Sequence, residues 1–257
     1  MERRSFFALP LGAALIADLA AASQKRAYFD LRYYRMRNGP QVERTTRYLQ
    51  RGWMPAAQRA GIGPLGFFNC TIGPQSPFIL SVTSYSSLAA IETAHEKLAA
   101  DKEFQAAVDE YNSPTELSYI RMENSLLYAF PSIPAIEVPP AREGGGSHIF
   151  ELRTYESPNE KAGARKVKMF DDAEIAIFRR SGMRPVFFGQ TIIGANQPSL
   201  TYMLAYDDLE ARDKAWSAFG KDPEWQKLRV TPGLTDPEIV SNITNAILRP
   251  LAFSPIK

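Results

Sequence analysis

Arginines at positions 32 and 153 each stand two residues after an acid, Asp30 or Glu151, and two residues before a tyrosine, Tyr34 or Tyr155. Alternate residues of a strand share a face, so each triplet presents a carboxylate, a guanidinium and a phenol side by side. Two kinds of chemistry fit that set. An arginine facing a cavity binds a carboxylate or phosphate through paired N–H donors, and Arg32 or Arg153 would do so with Tyr34, Tyr155, Tyr85 and Tyr206 shaping the walls. The amides of Asn69 and Gln190 are candidates to extend the hydrogen bonding of such a cavity. Alternatively, buried charges are costly unless paired, and the two acid–arginine sets would staple the halves of the protein together across a pseudo-twofold axis.

Other chemistry finds little support. The chain has two histidines. His95 is expected as a packed helix residue, because the internal register described below pairs it with Trp216, and His148 adjoins a glycine run. Neither stands at metal-ligand spacing, so no metal is expected. No G-x-S-x-G, G-x-G-x-x-G or P-loop is present, Gly144-Gly145-Gly146 reads as a linker, and no cofactor is expected. Catalytic residues stay unassigned. Cys70, the single cysteine, lies in the apolar run Phe67–Ile72 and reads as inert core.

The elements that position these residues are written twice. Phe-Asp-Leu-Arg-Tyr-Tyr at 29–34 returns as Phe-Glu-Leu-Arg-Thr-Tyr at 150–155, and an ungapped offset of 121 residues also pairs Gly61 with Gly182, Pro64 with Pro185, Tyr85 with Tyr206, Asp101 with Asp222 and Asn124 with Asn245. Such a register marks a duplicated module. In each copy, alternation predicts a first strand, helical periodicity follows over Val42–Ala60 and Lys161–Ser181, and two strands form a hairpin over Gly66–Ile72 with Pro77–Tyr85 and Val186–Ile193 with Leu200–Tyr206. A second helix covers Ser87–Asp109, or Leu209–Phe219 with an extension past Asp222. A fourth strand is expected at Leu117–Leu127 and Glu238–Leu248. The order β-α-β-β-α-β is that of the ferredoxin-like split motif. The fold class is therefore α+β, with two tandem modules (27–137 and 148–257, joined by a Pro/Gly linker at 138–147) packing sheet to sheet as a pseudo-dimeric α/β barrel. With Phe29, Leu31 and Tyr33 placed toward the helices, Asp30, Arg32 and Tyr34 would face the other sheet.

Bulk properties narrow the partners. Thirty basic against 28 acidic side chains leave a formal charge of +2, and no basic stripe suggests nucleic acid. Residues 1–23 read as an export signal of the twin-arginine type: Arg3-Arg4-Ser5-Phe6-Phe7 precedes a mildly apolar stretch and Ala20-Ala21-Ala22-Ser23. A soluble periplasmic protein is expected, with no membrane span once the signal is removed. A small anionic ligand, a protein partner and a homo-oligomer are the candidate associations.

The second-copy string at Phe150–Tyr155, Gly182, Gly194, the run Tyr206–Arg212, Trp216 and Asp-Pro-Glu-Trp at 222–225 together resemble the NIPSNAP family. The first copy carries a looser version, with Tyr85-Ser86-Ser87-Leu88 and Asp101-Lys102-Glu103-Phe104. The resemblance implies tandem ferredoxin-like modules of the dimeric α/β-barrel type and a poorly defined activity. Protein-partner roles of eukaryotic members are not expected of an exported chain. Many members carry a third-strand histidine where this chain has Tyr202. The implied function is that of a binding or scaffold protein, with a cofactor-independent monooxygenase working in a polar cavity between the sheets as the alternative.

Overall fold

Alternation at 28–35 produces a strand, β1 (Tyr28–Arg35), and its repeat produces β5 (Ile149–Glu156). The computed structural model describes residues 25–113 and 115–257, so the export reading of 1–23 lies outside the described residues. After β1 the first module continues with α1 (Pro40–Tyr48), a π-helical turn (Leu49–Trp53), α2 (Met54–Ala60), β2 (Leu65–Ile72), β3 (Phe78–Tyr85), α3 (Leu88–Ala100), α4 (Lys102–Asn112) and β4 (Arg121–Ala129). The second module matches it: α5 (Glu160–Met169), a π turn (Phe170–Glu174), α6 (Ile175–Arg180), β6 (Arg184–Ile193), β7 (Ser199–Tyr206), α7 (Leu209–Lys221), α8 (Pro223–Leu228), α9 (Asp236–Ile239) and β8 (Asn242–Pro250).

The eight strands close into one barrel in the order β1-β3-β2-β8-β5-β7-β6-β4. Each module contributes four neighbouring antiparallel strands. The halves join edge to edge at two seams, β2 with β8 and β4 with β6, so no module keeps a wholly free sheet edge. Gly189 illustrates how tightly the second seam is drawn: a Cβ there would lie 2.8 Å from that of Leu127.

Local chemistry sets the helix boundaries. Ser87, Asp101, Asn159, Asp208 and Asp222 each accept a backbone N–H at a helix start, which satisfies donors that the first turn leaves free. Asp101 and Asp222 thereby divide the second helical stretch of each module in two. The repeat extends to their partners: Arg59 contacts Asp101 and Glu103 at 2.7 and 3.1 Å, and Arg180 contacts Asp222 and Glu224 at 2.7 Å each. The fourth strands start later than expected, at Arg121 and Asn242. Glu238 is drawn into α9 instead, where its carboxylate accepts from the Thr235 backbone in a capping box.

The two faces of β1 and β5 are opposite to the expected ones. Phe29, Leu31, Phe150 and Leu152 point into the barrel, where they pack with Phe68, Leu127, Phe187 and Leu248 in one apolar cluster drawn from both modules. Asp30, Arg32, Tyr34 and their counterparts point outward, beneath the helices. Each sheet thus offers the other an apolar surface, whereas in the second module a helix carries the Arg212 and Trp216 donors that Glu151 needs. The predicted charged seam between the sheets is therefore a packed apolar core. Asp30–Arg32 and Glu151–Arg153 are contacts within one strand, at 3.4 and 2.9 Å, rather than reciprocal pairs across the pseudo-twofold.

Candidate functional site

Beneath the helices of the second module the acid of the charged face is closely ringed by donors, although Arg153 Nε and the Tyr206 hydroxyl are buried without a partner among the described residues. Glu151, with no solvent exposure, accepts from Arg153 Nη1 at 2.9 Å, Arg212 Nε and Nη2 at 2.9 and 2.7 Å, Trp216 Nε1 at 2.8 Å and Asn245 Nδ2 at 3.1 Å. Burial alone would raise its pKa, but the donors of Arg212 and Trp216 and the charge of Arg153 outweigh it and hold the carboxyl below the usual range. Arg153 also donates to Tyr155 Oη at 3.2 Å, which in turn accepts from Tyr202 at 3.2 Å. Deeper still, Lys166 pairs with Glu174 at 3.1 Å, both buried. Phe170, Phe178, Phe188 and Tyr202 fill the remaining space.

At the same register the first module lacks these fillers. Arg212 is replaced by Ile91, Trp216 by His95, Lys166 by Thr45, Glu174 by Trp53 and Tyr202 by Ser81. Asp30, one methylene shorter than Glu151, accepts from Asn124 at 2.8 Å and lies 3.4 Å from Arg32 Nη2. Here burial prevails over Arg32 and Asn124, and the carboxyl is pushed above its usual range. The result is an open pocket of about 230 Å³ lined by Arg32, Tyr48, Trp53, Tyr85, His95, Leu98, Phe104 and Gln105. Arg32 from β1 and Tyr85 from the end of β3 come from the sheet; the rest come from the π turn and helices that cover it. The guanidinium of Arg32 lies 5.9 Å from the Trp53 ring. Arg32 Nε and Trp53 Nε1 are both buried with no hydrogen-bond partner among the described residues.

The residues expected to form a site are thus divided. Arg32 and Tyr85 meet in the open pocket, with the Tyr85 phenol pushed up to about 12 by burial. Tyr34 is buried against Tyr119. Arg153 and Tyr155 belong to the filled network of the second module, and Tyr206 is buried there with a hydroxyl that lacks a partner among the described residues. Asn69 and Gln190 do not contribute amides to any cavity between the sheets; both are exposed, Asn69 in the middle of β2 and Gln190 toward the end of β6. His95 is not packed: Asp30 is too short to recruit a donor from that position as Glu151 recruits Trp216, and the imidazole is left exposed at the pocket rim. His148 is buried, with Nδ1 2.8 Å from the carbonyl oxygen of Lys257 and Nε2 3.5 Å from Asp207. Cys70 is free and half-buried against the barrel core. No three His, Cys, Asp or Glu side chains cluster as metal ligands among the described residues.

Trp53, Tyr48 and Phe104 escaped sequence reasoning because aromatic residues at helical spacing resemble core. The signal that exposes the pocket is the mismatch between repeats, above all Ile91 opposite Arg212.

Comparison with known proteins places the barrel and the module separately. Over the full length the chain resembles a "putative monooxygenase" of Fusobacterium nucleatum, with 8% identity, a TM-score of 0.59, and coverage of 88% of this chain and 93% of that one. A second "putative monooxygenase", from Lactobacillus acidophilus, gives 11% identity, a TM-score of 0.56, and coverage of 87% and 93%. At these identities the likeness speaks for the fold alone. An uncharacterized NIPSNAP-like domain protein of Burkholderia xenovorans is 30% identical over 42% of this chain and 89% of its own, with a TM-score of 0.37. No curated protein matches the sequence. The family model described as NIPSNAP matches twice, over 29–134 and 150–255. These two matches coincide with the two halves of the barrel, and the chain belongs to the NIPSNAP family as a tandem, self-paired member.

Proposed function

We propose that this protein is a binding protein whose first module holds a small organic anion, a carboxylate or enolate on a flat apolar body, in the pocket against Arg32. The open space above Arg32 carries this reading, together with two buried donors that line it, Arg32 Nε and Trp53 Nε1, which lack an acceptor among the described residues. Arg153 Nε shares that lack but lies in the filled module, so the space and not the orphaned atom alone marks the site. Orphaned buried donors are rare in folded proteins, and a ligand acceptor seated between Arg32 and Trp53 would offer a partner to donors on this side of the pocket. The aromatic walls of Tyr48, Trp53 and Phe104 favour a planar body. The pocket volume lies below the roughly 300–1,000 Å³ of sites for drug-sized ligands, so the ligand is small.

The neighbours described as monooxygenases raise the oxygenase alternative. An apolar cluster drawn from both modules fills the barrel interior, which leaves no polar cavity between the sheets among the described residues for such chemistry, and no reaction is assigned to the Arg32 pocket.

Titration of the purified protein with benzoate, followed by tryptophan fluorescence and calorimetry, tests the proposal. Saturable binding is expected in the wild type and is lost in Arg32→Gln, with melting curves used to confirm that the variant is folded at the titration temperature although it removes a charge beside Asp30. Filling the pocket with Ile91→Arg and His95→Trp, the residues of the second module, should also abolish it. Equal affinity of the Arg32→Gln variant, or no saturable binding to any of a panel of small aromatic carboxylates, overturns the reading.

A further inference from the structure

On the far side of the Tyr48 ring from the Arg32 pocket lies a second recess of about 300 Å³, between α1 with its π turn and α4. Its charged lining is Arg44, Arg47, Arg51 and Glu110, three cations to one anion. Arg44 is engaged, donating to the Glu116 carbonyl at 3.1 Å. Arg47 and Arg51 are exposed and make no ion pair or side-chain hydrogen bond among the described residues.

The repeat again gives the contrast. The counterparts of Arg47 and Arg51 are Lys168 and Asp172, which form a 2.7 Å ion pair one helical turn apart. The first module replaces that opposite pair with two like charges at the same spacing, a repulsive arrangement on a helix surface. Among the described residues neither arginine has an ion-pair partner, and Glu110 is the one acid that lines the recess with them. Beside the two guanidinium groups, the rings of Tyr48 and Tyr111 stack at 4.3 Å and 12°, and the Tyr111 hydroxyl is held by Thr45 at 2.8 Å. The stack is therefore fixed in place next to two free, fork-shaped donors.

We infer that this recess binds the phosphate monoester of a small flat molecule, with Arg47 and Arg51 closing on the phosphate and the edges of the stacked Tyr48 and Tyr111 rings bordering its apolar body. Two guanidinium groups one turn apart match a tetrahedral dianion with several acceptor oxygens better than a single carboxylate. Glu110 at the same recess repels a ligand that presents negative charge on its side, which fixes the direction in which an ester enters. The inference stands apart from the Arg32 pocket and uses none of its unsatisfied donors.

The test is calorimetric titration of the full chain with phenyl phosphate, inorganic phosphate and benzoate, using wild type, the double variant Arg47→Gln/Arg51→Gln, and Arg32→Gln. The expected result is saturable binding of phenyl phosphate, weaker binding of inorganic phosphate, and a loss of at least about tenfold in phenyl phosphate affinity in the double variant, since each charged hydrogen bond lost is worth that much. Melting temperature checks that the exposed substitutions leave the fold intact. Arg32→Gln should bind phenyl phosphate as the wild type does. The assignment is overturned by undiminished binding in the double variant, by loss in Arg32→Gln alone, by equal affinity for inorganic phosphate, or by no saturable binding in the wild type.

Discussion

Arg212 Nη2 lies 2.7 Å from Oε1 of Glu151, a carboxylate with no solvent exposure, and the first module has Ile91 at the position equivalent to Arg212. Together with Asp30 in place of Glu151 and His95 in place of Trp216, this difference gives two similar strands opposite electrostatics. In the second module the charge is built into the fold and the space above it is closed. In the first module a carboxylate and a guanidinium are left with fewer partners, and the space above them is open.

Removing Arg212 measures how much the closed network stabilises the protein. Arg212→Met keeps the stem that covers the sheet and deletes both N–H bonds to Glu151. Breaking a buried pair on one side costs about 3–5 kcal/mol, and the lower end applies because Arg153, Trp216 and Asn245 still reach the carboxylate. Ile91→Met, at the equivalent site, should change stability by less than about 1.5 kcal/mol. Denaturant unfolding of both variants provides the comparison, and equal effects would contradict the division into a filled and an open module.

The two acids predict opposite responses to pH. Glu151 has a folded pKa below its ordinary value, so its ionised form contributes stability at neutral pH that is lost as pH falls through the folded pKa. Glu151→Gln should therefore lower the melting temperature at pH 7, and the deficit should shrink in acid. Asp30 has a folded pKa above its ordinary value. Its ionisation costs stability, absent at low pH and growing as pH rises through the folded pKa. Asp30→Asn, which can still accept from Asn124, should raise the melting temperature at pH 7, with the gain vanishing in acid. Melting curves across pH 3–8 distinguish the signs, and a fall for Asp30→Asn at neutral pH would falsify the account of the open pocket.

Strand alternation, helix periodicity and the 121-residue offset made the modules and their barrel pairing legible in the sequence. What alternation cannot say is which face of β1 meets the helices, because Phe29, Leu31 and Tyr33 suit either an interior sheet contact or a helix contact. That choice is made by partners far along the chain. Arg212 and Asn245 reach Glu151 from 61 and 94 residues away, and their donors draw the charged face to their side. Once the face was misassigned, the candidate cavity moved with it, carrying Asn69 and Gln190 into a space that is in fact apolar. Arg32 and Tyr85 were identifiable as ligand candidates from residue type alone. Trp53 was not, since an unsatisfied indole N–H is a property of its surroundings and leaves no mark in spacing.

Residues 1–23, which precede the described residues, carry the remaining prediction. We propose that Arg3 and Arg4 direct export of the chain by the twin-arginine route, which carries folded proteins. A folded passage suits a chain with one cysteine, whose stability rests on barrel closure and the Glu151 network rather than on disulfides formed outside the cytoplasm. Substituting Arg3→Lys together with Arg4→Lys preserves the charge of the leader and removes the paired guanidinium signature. In a bacterial host with the twin-arginine system, fractionation should find the unsubstituted chain in the periplasm and the double variant in the cytoplasm, at similar total amounts. Equal periplasmic recovery of both would remove the export proposal while leaving the pocket unaffected, because the Arg32 site lies wholly within residues that follow the leader.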